Sequence, residues 1–88
     1  MDLIILTPDK KVFEGKVERV TFPGADGGFE VLSRHAPLLS QLIAGVIEIT
    51  TSERKKENFE ITGGYVEVLD NSLSVVAESI VENTETEA

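Results

Sequence analysis

Glycine, proline and asparagine punctuate the chain at intervals of about eight to twelve residues, and the stretches between them are rich in Val, Ile, Phe and Thr. That rhythm is the signature of an all-β fold. Residues 3–6 read as a first strand, stopped at Thr7-Pro8-Asp9-Lys10, where proline fixes φ and removes a ladder donor. A short strand over residues 11–14 follows, and Gly15 turns the chain into residues 16–22. There Val20 and Phe22 share one pleat face with Glu18 while Val17 sits on the other, an imperfect alternation that implies a bulge or a strand covered on both faces.

Pro23-Gly24-Ala25-Asp26-Gly27-Gly28 is the strongest loop signal, and residues 29–32 form the strand leaving it. In Ser33-Arg34-His35-Ala36-Pro37 the proline pushes Ala36 toward an extended conformation, with a single helical turn expected at Leu38-Leu39. Residues 40–43 and 46–51 flank Ala44-Gly45, which reads as the two-residue connection of a tight hairpin. Ile47 and Ile49 share a face in its second arm. The polar run over residues 52–57 is a solvated turn. Phe59 and Ile61 continue the alternation to Gly63-Gly64, a pair suited to positive φ or close backbone approach at a corner. Val66 and Val68, then Leu73, Val75 and Ala77, complete two more strands across Asp70-Asn71-Ser72.

The expected architecture is therefore a small antiparallel β-sandwich or flattened barrel of about eight to ten short strands. It occupies residues 1–82. Residues 83–88 have no apolar periodicity and are expected to form an acidic, disordered tail.

A chain of 88 residues makes one domain and buries only about 60% of its unfolded surface, so partner surfaces matter for its stability. Eight basic against sixteen acidic residues leave a formal charge of -8, which repels phosphate backbones and anionic lipid and argues against nucleic-acid binding. The absence of cysteine excludes disulfides, thiolate metal sites and thiol nucleophiles. No apolar stretch approaches the ~20 residues of a membrane helix, and Met1-Asp2-Leu3-Ile4 lacks the basic region of a signal peptide. A cytosolic protein, or one peripheral on the cytosolic side without direct membrane insertion, is expected.

Chemistry-bearing motifs are missing. No phosphate loop, dinucleotide fingerprint, HExxH run or EF-hand loop occurs. Gly24-Ala25-Asp26-Gly27-Gly28 lacks the Lys-Ser/Thr and the following helix of a phosphate cradle and reads as a loop between strands. His35 is the single histidine, so one chain cannot build a multi-histidine metal site. Ser33, Asp26 and Asp70 could approach it as a hydrolytic triad, but no nucleophile elbow surrounds any serine, and a histidine beside a turn proline more often holds that turn. The residues alone define an acidic all-β binding module without cofactor or metal, part of a larger assembly.

An ordered set of landmarks narrows this further. Leu6-Thr7-Pro8 precedes Val12-Phe13-Glu14-Gly15-Lys16-Val17; Pro23-Gly24-Ala25-Asp26-Gly27-Gly28-Phe29 leads to His35-Ala36-Pro37-Leu38-Leu39 and Gly45-Val46-Ile47; Gly63-Gly64-Tyr65-Val66-Glu67-Val68 and Leu73-Ser74-Val75-Val76-Ala77-Glu78 follow. Over about residues 2 to 82 the chain resembles the N-terminal β-sandwich of the epsilon subunit of F-type ATP synthases. The resemblance implies a ten-stranded sandwich at the foot of the central stalk, a non-catalytic rotor component linking the gamma subunit to the membrane c-ring and coupling proton flow to ATP synthesis. It places the complex at the cytoplasmic face of the bacterial inner membrane.

By the same resemblance Asp26, Gly27, Gly28, Phe29 and Glu30 form the c-ring interface, and Arg34, His35, Leu38 and Leu39 the gamma interface. The acidic position that commonly faces the ring is Gly28 here, leaving that role to Asp26 or Glu30. The family carries Pro-Gly before its histidine, where this chain has Ser33-Arg34, and arginine enters positive φ at greater cost than glycine. Most bacterial relatives continue into a pair of α-helices, a C-terminal helical hairpin for which this sequence has no residues, so inhibition of hydrolysis and nucleotide binding are expected to be absent or weak. The competing readings are an independent β-sandwich binding module for a peptide or carbohydrate, and a small hydrolase using His35. A sugar platform is poorly served by one tyrosine, four phenylalanines and no tryptophan.

Overall fold

A computed structural model describes the backbone of residues 1–87 and the side chains of residues 1–84. Seven strands follow one another: β1 (Asp2–Leu6), β2 (Lys11–Phe22), β3 (Phe29–Leu32), β4 (Leu38–Thr51), β5 (Lys55–Leu69), β6 (Ser72–Ala77) and β7 (Ile80–Glu87). They are joined in the order β1-β6-β5-β4-β2-β3, β7 pairs with β5, and β1 also pairs with β2. The circuit β1-β6-β5-β4-β2 thus closes on itself as a flattened barrel, with β3 and β7 as flanking strands.

The expectation of about ten short strands is met in a different form. Strands β2, β4 and β5 are long and run through both layers. The second half of β4 and the first half of β5 pair with each other, with β7 beyond β5 and the end of β2 beyond β4. Their other halves lie with β6, β1 and the start of β2. Seven strands, three of them used twice, make ten segments.

Two expected turns are therefore absent. Gly15 lies inside β2, opposite Leu3, and Ala44-Gly45 lies inside β4. Gly45 serves close approach instead of chain reversal, because a Cβ there would stand 2.7 Å from the Cβ of Pro23. Leu38 starts strand β4 opposite Val68 and forms no helical turn, since ladder pairing satisfies its backbone. The reversal of the β4–β5 hairpin falls later, at residues 52–54, where the Arg54 N–H donates to the Thr51 carbonyl at 2.9 Å. The irregularity foreseen in β2 is a register shift between Val17 and Arg19 against β4. It turns Val17 inward beside Val20 and Phe22, so all three are buried.

The largest departure concerns the end of the chain. The stretch expected to be a disordered tail from residue 83 continues β7, with Asn83 opposite Phe59 and Glu87 opposite Lys55. Main-chain pairing with the first half of β5 accounts for it, although its polar sequence gives no apolar alternation. Ala88 lies outside the described residues.

Between the layers sits one apolar core. Leu3, Ile5, Ile47, Ile49, Phe59, Ile61, Val66, Val68, Leu73 and Val75 are essentially inaccessible, and no polar or charged residue among those described is buried with them. The alternation of apolar positions produces this directly, since a period of two sends every second side chain inward. Phe59 anchors the centre and meets Phe13 edge-on at a ring separation of 5.9 Å.

At Gly63-Gly64 strand β5 exchanges partners on one edge, from β7 before the pair to β6 after it. Both glycines have φ of 153°. Around them the Glu78 N–H donates to the Gly63 carbonyl at 2.9 Å, and the Thr62 hydroxyl stands 3.0 Å from that of Ser79. The two positions differ in space: a Cβ on Gly64 would lie 2.1 Å from the Val76 carbonyl oxygen, whereas the atoms nearest to one on Gly63 would be those of the Glu78 carboxylate, at 3.4 Å.

Two stability outcomes follow, both readable in urea melts. Gly64→Ala is expected to destabilise the domain by about 3 kcal/mol or more, because backbone must move, while Gly63→Ala costs nearer ~1 kcal/mol. Equal effects at the two positions would refute the steric account. Phe59→Ala is expected to remove roughly 3–5 kcal/mol, a large share of the ~5–10 kcal/mol available to a domain of this size. A loss below about 1 kcal/mol would show that Phe59 is not central.

Candidate functional site

The loop over residues 23–28 is laced to β4. The Ile43 N–H donates to the Pro23 carbonyl and the Ala25 N–H to the Gln41 carbonyl, each at 2.9 Å, and Gly24 bridges Leu42. Phe22 and Phe29 clasp its base, with ring centroids 5.4 Å apart. This lacing brings two segments distant in sequence onto one surface. Asp26, Gly27 and Phe29 line a cleft of about 490 Å³ together with His35, Leu38 and Leu39.

The remaining candidates lie elsewhere. Gly28 and Glu30 border a separate recess with Thr21, Pro23 and Val46. Glu30 is engaged by Arg19, whose Nε donates to its Oε2 at 2.8 Å with a second contact from the same guanidinium. Asp26 makes no ion pair among the described residues and stands exposed at the loop tip. Of the two carboxylates considered for contact with a basic partner loop, Asp26 is the unengaged one.

On the opposite wall, Leu38 turns inward and packs against the core, while Leu39 is 73% exposed. The alternation of β4 separates them. Arg34 adopts φ of 65° despite being an arginine, within a turn closed by the His35 N–H donating to the Leu32 carbonyl at 3.1 Å. The Arg34 N–H itself donates to Asn71 Oδ1 at 2.8 Å. His35 is exposed and its Nδ1 lies 2.7 Å from the Ala36 carbonyl, a local bond that holds the turn before Pro37. No bond joins it to Ser33, Asp26 or Asp70 among the described residues, and none of the described His, Asp and Glu residues gather as a metal-binding group.

Leu39 also belongs to a second surface that the sequence pattern did not single out. On the outer face of β4, β5 and β6, Tyr65 stands between Gln41 and Val76, its direct cross-strand partners. Leu39 and Ile43 lie on its diagonals, within reach of an aromatic ring. Tyr65, Val76 and Ile43 are each half exposed or more, at 55%, 53% and 50%. The signal was present: Tyr65 and Val76 alternate out of phase with buried Val66 and Val75, which puts apolar side chains on a face that water would otherwise claim. The outer face of the other layer is more charged, carrying Glu48, Glu60 and Glu82 beside Arg19 and Lys56, with Val46 opposite Glu60.

Comparison with known proteins accords with this geometry. Residues 1–83 match the family described as ATP synthase, Delta/Epsilon chain, beta-sandwich domain. The ATP synthase epsilon chain of a Nitratiruptor species is 46% identical over 81 residues, which are 92% of this chain and 63% of that relative. This chain thus spans less than two thirds of that relative's length. The ATP synthase epsilon chain of Chlorobaculum tepidum is 40% identical over 78 residues, 89% of each protein. Among solved structures, a chain of the Euglena gracilis mitochondrial ATP synthase (OSCP/F1/c-ring) superposes with a TM-score of 0.81 at 25% identity, covering 94% of this chain and 51% of that one. A chain of the Tetrahymena thermophila mitochondrial ATP synthase central stalk and c-ring shares the fold, with a TM-score of 0.75 at 22% identity over 93% of this chain and 66% of that one. The chain belongs to the ATP synthase delta/epsilon family and carries its beta-sandwich domain.

Proposed function

We propose that this chain is a non-catalytic rotor subunit of the proton-translocating F-type ATP synthase, held by gamma on one surface and resting on the c-ring at one end. The observation that carries the reading is the outer face on which Leu39, Ile43, Tyr65 and Val76 are exposed, bordered by Glu67 opposite Leu39 and sharing Leu39 with the cleft that Asp26 also lines. A sheet face with an exposed tyrosine among aliphatic side chains has the composition of an interface core. The loop end is polar and glycine-rich, suited to a partner surface of polar loops. Family membership and the likeness to a chain of the Euglena gracilis OSCP/F1/c-ring structure support the same assignment. In a bacterial cell such a subunit sits at the cytoplasmic face of the inner membrane through its complex. No helix of the described residues is long and apolar enough to cross a membrane.

The two contacts differ in physical kind, so they separate experimentally. Tyr65→Glu is expected to weaken binding to the gamma-containing sector by about 2 kcal/mol, roughly thirtyfold, since an aromatic anchor is replaced by a charge that must be desolvated. Titration by fluorescence anisotropy reads this, and an unchanged affinity would sink the gamma assignment. Asp26→Lys is expected to reduce retention of the catalytic sector on membranes by only about 0–1 kcal/mol, with an effect that fades as salt rises. A loss independent of salt would mean that Asp26 acts through the fold and not through charge.

A further inference from the structure

Of residues 33–37, His35 lines the docking cleft, yet little holds these residues in place. Two of their bonds are local: the His35 N–H to the Leu32 carbonyl, and His35 Nδ1 against the Ala36 carbonyl. Among the described hydrogen bonds, the one that ties this segment to another element runs from the Arg34 N–H to Asn71 Oδ1 at 2.8 Å, across 37 positions of sequence. It falls where help is most needed, because Arg34 sits at the third position of its turn with φ of 65°, a conformation that glycine or asparagine adopts far more readily than arginine.

Asn71 is well suited to hold it. Asp70 and Asn71 alone connect β5 to β6, with φ of 50° and 63°, the paired positive values of a type I′ hairpin turn. The turn is fastened to a regular ladder at Leu69 opposite Ser72, and the Asn71 carbonyl accepts the Asp2 N–H at 3.1 Å. Its amide oxygen is therefore presented from a stiff base. Asn71 is half-buried and borders a recess of about 440 Å³ with Arg34, His35 and Pro37.

We propose that Asn71 is a positioning residue: its Oδ1 holds Arg34 in the left-handed conformation and thereby sets His35 in the wall of the cleft, without touching the partner. The proposal rests on the reading of the cleft as a docking surface. It assigns part of the partner affinity to a hairpin turn that sequence distance would place in a different structural unit.

The test uses three variants of the full chain and two readouts, amide exchange at Arg34 and affinity for the catalytic sector depleted of this subunit. Asn71→Gly keeps the positive φ of the turn and removes the acceptor, so the fold is retained. It is expected to speed Arg34 amide exchange by roughly tenfold and to weaken binding several-fold. Asn71→Asp restores the acceptor and both readouts. Adding Arg34→Gly to Asn71→Gly is expected to restore binding, because glycine enters the left-handed conformation without the cost that arginine bears there. An Arg34 amide as protected in Asn71→Gly as in the parent overturns the proposal, as does a binding loss that neither rescue repairs. Lost protection with unchanged binding, while Leu39→Glu still abolishes binding, overturns the positioning role and leaves the docking reading standing. Unchanged binding in both Asn71→Gly and Leu39→Glu overturns the docking reading and this proposal with it.

Discussion

The contact on which the architecture turns is the approach of the Gly64 backbone to the carbonyl of Val76, closer than any side chain permits. There β5 leaves β7 and takes up β6, while its pairing with β4 continues from Leu38 opposite Val68 to Thr50 opposite Lys56. The corner divides the molecule into two layers without cutting the chain. Immediately after it comes Tyr65, whose cross-strand neighbour is Val76 itself. The constraint that makes the corner thus also places the centre of the apolar outer face.

The two outer faces differ in their balance of apolar and charged side chains. Beyond the corner the sheet shows Leu39, Ile43, Tyr65 and Val76, with Glu67 opposite Leu39; before it, Glu48, Glu60 and Glu82, with Val46 opposite Glu60. Desolvating the first releases ordered water from apolar surface, and desolvating the second exposes carboxylates to a cost of several kcal/mol each unless they are paired. A partner that buries a sheet face has a strong reason to choose one side.

Much of this was legible in the residues. The alternation in Phe59, Ile61, Val66, Val68, Leu73 and Val75 marks the core, and Gly63-Gly64 marks the corner, because local spacing alone carries that information. What alternation cannot show is whether a glycine ends a strand or admits a neighbour. Gly15 and Gly45 read as turns in the sequence, although Gly45 accommodates Pro23, which stands against it only once the loop is laced to β4. Likewise the last strand has no apolar stripe, and its order comes from main-chain pairing that no single segment encodes. At the cleft, the sequence supplied both walls as separate groups. Their meeting depends on long-range bonds, as does the pairing of Glu30 with Arg19, which leaves Asp26 unengaged.

Strand β1 runs parallel to β6, with Leu3 beside Leu73 and Ile5 beside Val75, while its other edge pairs with β2. The barrel cannot close until β1 meets β6, about 70 positions later in the chain. During synthesis β1 can pair early with β2, but its second edge stays open while the intervening strands emerge from the ribosome. Such non-local closure puts refolding in roughly the millisecond-to-second range of all-β folds, the time scale read by stopped-flow mixing. Until then Leu3 and Ile5 have an incomplete apolar cover, and the open edge of β1 is the place where a nascent chain most needs shielding from its neighbours.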